Sequence, residues 1–298
     1  MCNGSIGTVR FHFLEYIYGK KIMSATVDSR AVSLRIQEEF NRGYELKPFP
    51  DAVNKMLQAL RDPKSDIKLI ESIVESDPGL STRILRLANS PLFGASQEIN
   101  SVARAIVMLG RGKLKSLALT FAGSSIFMGN SEKALWNHSM GCAVTAREIA
   151  NLAGVDVELA FIAGIFHDVG KLFFWDIFPE EYASLTKRNF AGNALVDAEK
   201  EMFGICHAEV GQKLAISWPL PAEVKEAIRF HHSVTTNTLV STIILADALA
   251  WRFGIGSNPC DRIEVPEIAR TEFGINEEAL DLIRELSLQS FDEMKAIG

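Results

Sequence analysis

Long apolar runs are missing from this chain. No uninterrupted stretch reaches the ~18 residues of a membrane span, and the nearest, Val240 to Trp251, is broken by Asp247. Cysteine is scarce: Cys2, Cys142, Cys206 and Cys260 lie far apart with no CxxC pair. That spacing excludes a disulfide framework and points to a reducing cytoplasm. A basic surplus is also lacking. The formal net charge is -6 and the pI about 5.6, which leaves no overall footprint for nucleic acid. The local basic residues Arg104, Arg111, Lys113 and Lys115 read as a solvated helix face. Met1 to Lys21 contains no signal-peptide core, and Met23 precedes a polar, helix-forming stretch where translation could also begin. Strand-like alternation, fixed-period repeats and low-complexity tracts are absent too.

What remains is helical. With 298 residues, 47% hydrophobic and 23% charged, the chain can fill one large globular domain or two small ones. The 3.6-residue period predicts a helix from Pro50 to Ala59 with Val53, Met56, Leu57 and Leu60 inward. Asp66 caps a second, striped by Ile67, Ile70, Ile73 and Val74. Ser81 opens a third, with Ile84, Leu85 and Ala88 inward, and Asn89 to Gly94 forms a turn. Two helices, Val102–Leu109 and Leu114–Phe127, flank Gly110-Arg111-Gly112. After a break at Met128–Glu132, helices are expected at about 135–153, 157–171, 180–191, 195–203, 207–217, 221–231 and 238–253. One or two more fill 266–298. The expected fold is all-α, divided into an N-terminal extension (1–44), an N-terminal helical subdomain (45–129) and a second helical subdomain (130–298).

Histidine is rare as well, and its distribution carries the most information. Five of the six lie between residues 138 and 232: His138, His167, His207, His231 and His232. Each falls on an apolar helical pattern, joined by Asp168 and Asp247. His138 shares a stripe with Cys142, Ala146 and Ile149, while Asp247 shares one with Val240, Ile243, Ile244 and Trp251. Phe161 to Phe166 is apolar all round, which buries that helix and Asp168 with it. A lone histidine on an apolar face is ordinarily a core residue bonded to a carbonyl, and a metal-free core of such histidines is one reading. A buried carboxylate needs a cation, and the other reading supplies it as one or two divalent ions (Fe, Mn, Ni, Co or Zn). Two ions would outweigh two aspartates and favour an anionic ligand such as phosphate. Lys171, one turn after His167, either holds a phosphate oxygen or snorkels to the surface. Gly170 either admits a close neighbour or ends its helix.

The isolated His138, the pair His167-Asp168 and the distal Asp247 resemble the HD superfamily of metal-dependent phosphohydrolases. His207 and the pair His231-His232 resemble its HD-GYP branch, where such positions complete a two- or three-metal centre. The resemblance implies that Asp168 bridges metals and that a bridging hydroxide attacks phosphorus, so Asp168 and Lys171 become the candidate catalytic residues.

From Leu46 to Trp251, about two-thirds of the chain, the sequence is similar to a neighbouring family, the HD-related output domain (HDOD). The resemblance rests on Leu46-Lys47-Pro48-Phe49-Pro50, Ser76 to Leu80, Leu85 to Ser90, Ala105 to Gly110 and Trp136 to Ser139. It continues through Glu199, Phe203-Gly204, His207-Ala208-Glu209, Trp218 to Pro221 and His231-His232. It implies an N-terminal helical subdomain packed on an HD-like bundle and a regulatory output in bacterial signal transduction, with signalling proteins as partners. Ser233 stands where HD-GYP enzymes carry glutamate, no Gly-Tyr-Pro follows, and position 134 is alanine instead of a metal-holding glutamate. These departures favour a regulatory protein that keeps a metal site and binds phosphate or a nucleotide. The alternative is an active phosphohydrolase or phosphodiesterase.

Overall fold

A computed structural model of the chain describes residues 29–90, 98–127, 132–187, 192–257 and 265–297. The expected leader over residues 1–21, the end of the turn after Asn89 and most of the break at 128–132 lie outside the described residues. No strand occurs among the described residues, and the chain is all-α.

The first described helix, α1 (Ser29–Asn41), is followed by α2 (Asp51–Arg61), α3 (Ile67–Glu75) and α4 (Pro78–Ala88). Helix α2 buries Val53, Met56, Leu57 and Leu60, the stripe read from its sequence. Asp66 caps α3 by accepting from Lys68 N–H. On α3 the buried residues are Ile70 and Val74, while Ile67 is 46% exposed at the first turn. Helix α4 starts three residues before the expected Ser81. Asp77 accepts from Leu80 N–H and Pro78 occupies the first turn, so a sequence that looks like a breaker is a complete helix start.

The two helices expected on either side of Gly110 form one element, α5 (Val102–Ile126), kinked at Gly110 with φ 69°. Arg111 at the kink is half-buried, and its guanidinium is tied to backbone carbonyls. It donates to Ala59 O at 2.9 Å, to Ser65 O and to Asp62 O, satisfying carbonyls around the C-terminus of α2. Helices α2, α3 and α4 all pack on α5 to form the N-terminal helical subdomain.

The HD-like bundle comprises α6 (Glu132–Ala153), α7 (Val157–Phe166), α8 (Gly170–Ile177), α9 (Pro179–Thr186), α10 (Asn193–Phe203), α11 (His207–Ala215), α12 (Ala222–Phe230) and α13 (Thr238–Phe253). A short α14 (Ile268–Thr271) and the long α15 (Glu277–Ile297) complete the described chain. Helix α6 is the hub, packing on α7, α13 and α15. One apolar core runs through both subdomains, and Phe49 joins them by packing on Phe166 and Trp218. A second, aromatic core of Phe173, Phe174, Phe178, Tyr182 and Phe203 is covered by Val32 and Ile36 of α1.

Where one helix was expected over 157–171, the chain turns at His167-Asp168-Val169 and restarts as α8. The apolar pattern on both sides hides this break, which points the His-Asp pair inward from a turn. Asp156 sets the start of α7 by accepting from both Glu158 N–H and Leu159 N–H. Asp156→Ala should therefore cost about 1 kcal/mol, read as a melting temperature lowered by about 2–4 °C.

Candidate metal centre

Four glycines bring the relevant helices unusually close. A Cβ on Gly164 of α7 would sit 2.5 Å from Ala143 Cα of α6, and one on Gly170 of α8 would sit 1.9 Å from His207 O of α11. A little earlier on α6, a Cβ on Gly141 would meet Ile255 O at 2.1 Å, and one on Gly256 would meet Asn137 O at 1.9 Å. The first two contacts set His167, Asp168 and His207 against one another. The last two lock α6 to the end of α13 and so set His138 beside Asp247. Gly170 thus opens a helix and admits a neighbouring backbone; it does not end one.

All seven residues singled out by sequence converge. His138, His167 and Asp247 offer ligand atoms within 4.8 Å of one another, and so do Asp168, His207, His231 and His232. Asp168, 1% exposed, stands between the sets. Its Oδ2 lies 3.3 Å from His167 Nε2 and 3.7 Å from His138 Nε2. Its Oδ1 lies 3.2 Å from His207 Nε2 and 3.7 Å from His231 Nε2. His138 Nε2 pairs with Asp247 Oδ1 at 3.0 Å, and Trp251 packs on the His138 ring at 4.7 Å.

The outer nitrogens of three rings are already used. His167 Nδ1–H donates to Gly164 O and His231 Nδ1–H to Ile228 O, both at 2.8 Å. His207 Nδ1–H donates to Glu199 Oε2 at 2.6 Å. A neutral imidazole with its proton on Nδ1 presents a bare lone pair at Nε2. Yet His207 Nε2 is 3.3 Å from His231 Nε2 and 3.1 Å from His232 Nε2. For His207 and His231, whose protons are both held on Nδ1, this sets two lone pairs against each other, with Asp168 Oδ1 beside them as a third acceptor. His167 Nε2 and Asp168 Oδ1 are buried without a hydrogen bond among the described residues.

Electrostatics divides the centre in the same way. Burial pushes the His231 imidazolium down to about 4 and that of His232 down further, with neighbouring histidine charge adding to the effect. Burial also opposes charge on His167, but the Asp168 carboxylate outweighs it and holds His167 well above its ordinary value. Asp168 and Asp247 are likewise penalised by burial, yet their histidine neighbours, and Lys171 in the case of Asp168, hold both below the usual carboxylate range.

Lys171 does not reach the surface as a snorkelling side chain would. Its ammonium donates to Asp168 Oδ2, with 13% of the side chain exposed. Asp247 is also 13% exposed and His232 is half-buried, so with Lys171 they are the members of the site that reach solvent. Sequence reasoning missed Glu199 as a site residue. It is fully buried and accepts from Tyr182 O–H and from both His207 N–H groups. Its signal was present: four residues later comes Phe203 and eight later His207, in a helix otherwise rich in solvated charge.

The HDOD domain family matches residues 46–234. An uncharacterised protein of Treponema pallidum (strain Nichols) is 27% identical over 232 residues, 74% of this chain. The match takes in 44% of that relative, so the chain spans under half of its length. Among solved structures, an HDOD domain protein of unknown function from Geobacter sulfurreducens is 26% identical with a TM-score of 0.67, covering 90% of this chain and 98% of that one. A provisionally named phosphohydrolase from Shewanella amazonensis SB2B shares the fold at 23% identity and a TM-score of 0.69, covering 89% and 99% of the two chains.

Proposed function

The chain belongs to the HDOD family, and from that premise we propose that it is a regulatory signal-transduction protein whose bundle holds divalent metal and, through it, a phosphate or nucleotide ligand. One observation carries the reading: the two oxygens of buried Asp168 face two separate sets of imidazole and carboxylate donors, and in one of those sets the lone pairs face each other. A cation between those donors relieves the repulsion, and protonating every ring is opposed by burial. Histidine nitrogen with carboxylate oxygen suits Fe, Mn, Ni, Co or Zn. His138, His167 and Asp247 would hold one ion, His207, His231 and His232 a second, with Asp168 between them.

When bound, the metal supplies Lewis-acid charge that attracts and orients phosphate oxygens. The protein contributes the rest. Glu199, Gly164 O and Ile228 O fix the ring orientations, and the glycine contacts hold the helices at the needed separation. Lys171, one of the residues on the solvent edge, is placed to turn from Asp168 to an anion. The excess of positive charge from two ions and Lys171 over Asp168, Asp247 and Glu199 favours such a ligand.

A second reading, metal-dependent phosphohydrolysis, is favoured by the completeness of the donor set and by Lys171 beside it. Ser233, which stands where HD-GYP enzymes carry glutamate, and Ala134, which stands where they carry a metal-holding glutamate, weigh toward the regulatory reading. Elemental analysis of protein purified without an affinity tag tests both. We expect one to two equivalents of transition metal and a melting temperature that falls in chelator, by the equivalent of about 2.7 kcal/mol when free metal had been a hundredfold above Kd. No metal and no response to chelator would refute the proposal. A screen of phosphomonoesters and phosphodiesters with Mn2+, Fe2+ or Ni2+ then separates the two readings. The regulatory one predicts binding without turnover.

A further inference from the structure

Glu199 and Tyr182 lie outside the seven-residue cluster, yet both are fully buried and joined to it. Tyr182 O–H donates to Glu199 Oε1 at 2.8 Å. Glu199 Oε2 accepts the backbone N–H of His207 at 2.8 Å and its Nδ1–H at 2.6 Å. Orienting a histidine does not require an anion: carbonyl oxygens do it for His167 and His231 in this same centre. A carboxylate sealed from water carries a desolvation cost of several kcal/mol, so its presence at His207 alone calls for a reason.

The reason lies in what an anionic acceptor does to the ring. It draws the Nδ1 proton more strongly than a carbonyl does, raises electron density at Nε2 and makes that nitrogen a better donor to a cation. Tyr182 acts in the opposite sense, because its hydroxyl proton withdraws charge from the same carboxylate. The phenol is walled by Phe174, Trp175 and Phe203, so solvent does not screen these effects. Lys171 also acts on Glu199, and it lies on the far side of Asp168 from His207, on Oδ2 where His207 faces Oδ1.

We propose that Glu199 and Tyr182 are a pair of positioning residues that set the donor strength of His207, and hence the affinity of the half of the centre formed by Asp168, His207, His231 and His232 for a divalent cation. The inference rests on the metal-binding reading above and goes beyond it by giving the two halves unequal affinities under separate control.

The test is titration of the full chain, stripped of metal, with Zn2+ and with Mn2+ against a chromophoric chelator. Wild type, Glu199→Gln and Tyr182→Phe are compared, with melting curves in chelator as the folding control. Glu199→Gln keeps the size and an acceptor oxygen but loses the charge, and should weaken one equivalent by about 10–100-fold while leaving the other nearly unchanged. Tyr182→Phe removes only the opposing donor and should tighten that same equivalent by about three- to tenfold. A merely structural pair cannot give opposite signs. The proposal is overturned if both variants weaken binding, if neither changes it, or if both equivalents shift alike. Should Glu199→Gln fail to fold, Tyr182→Phe decides alone: tightening supports the proposal, and weakening or no change sinks it. Wild type that takes up no metal would overturn the metal reading itself, an outcome distinct from a metal-binding wild type indifferent to Glu199→Gln.

Discussion

Asp168→Ala should lose every metal equivalent that the proposed centre holds and melt below wild type with or without metal. The first half of this expectation follows from position. Asp168 alone faces both donor sets, one oxygen to each, so its removal strips a ligand from both halves, whereas a histidine variant strips only one. In saturating metal the wild type gains stability that the variant cannot, about 4 kcal/mol at a thousandfold excess over Kd. The second half follows from Lys171. On sequence grounds, a buried carboxylate without its metal is a liability, and removing it from the metal-free protein would be neutral or favourable. The structure reverses that sign. Lys171 donates to Asp168 Oδ2 and is itself largely buried, so alanine at 168 leaves an ammonium without its partner. Breaking such a pair from one side costs about 3–5 kcal/mol when both charges are sealed, and about 1–3 kcal/mol here, because Lys171 can move toward its exposed edge. The double variant Asp168→Ala with Lys171→Met should recover most of that loss in chelator and still bind no metal. Scanning calorimetry of the three proteins with and without chelator checks each of these states. A wild type indifferent to chelator, or Asp168→Ala equal to it in chelator, would contradict the corresponding half.

The seven converging side chains were legible because histidine is rare in this chain and nearly all of it lies on apolar faces, where a polar ring needs a reason to be. The fold class was legible because the 3.6-residue period runs almost without interruption. Local grammar was harder to read. Asp77-Pro78-Gly79 contains two residues that end helices and one that caps them, and the cap prevails because Pro78 costs nothing at a first turn. The break at His167-Asp168-Val169 is flanked by buried apolar residues on both sides, so periodicity carries no mark of it. Glu199 sits among Asp197, Lys200 and Glu201, and only the approach of Tyr182 from α9 and His207 from α11 distinguishes it from that solvated run. The glycine contacts are likewise tertiary: nothing near Gly170 in sequence announces a carbonyl from α11.

That contact yields the other large effect. Gly170→Ala should lower stability by about 3 kcal/mol or more, or about 6–12 °C in melting temperature, and weaken metal binding in the same molecule. The added methyl would lie 1.9 Å from His207 O and 2.6 Å from Gly211 N, and both obstacles are backbone, so no rotamer change can make room. On the facing helix a Cβ at Gly211 would itself come within 3.2 Å of Gly170 N, which means that the two helices touch through glycine on both sides. Relief requires α11 to move away from α8. His207 is the first residue of α11, so the movement carries its Nε2 away from Asp168 Oδ1, now 3.2 Å distant, and strains its bonds to Glu199. Stability and metal affinity should therefore fall together. Gly154→Ala supplies the contrast: its φ of 68° makes alanine unfavourable by about 1–2 kcal/mol, but nothing lies within 4 Å of the added carbon and metal affinity should not change. A Gly170→Ala protein that melts within about 2 °C of wild type and binds metal equally well would mean that the α8–α11 contact does not hold His207 in place.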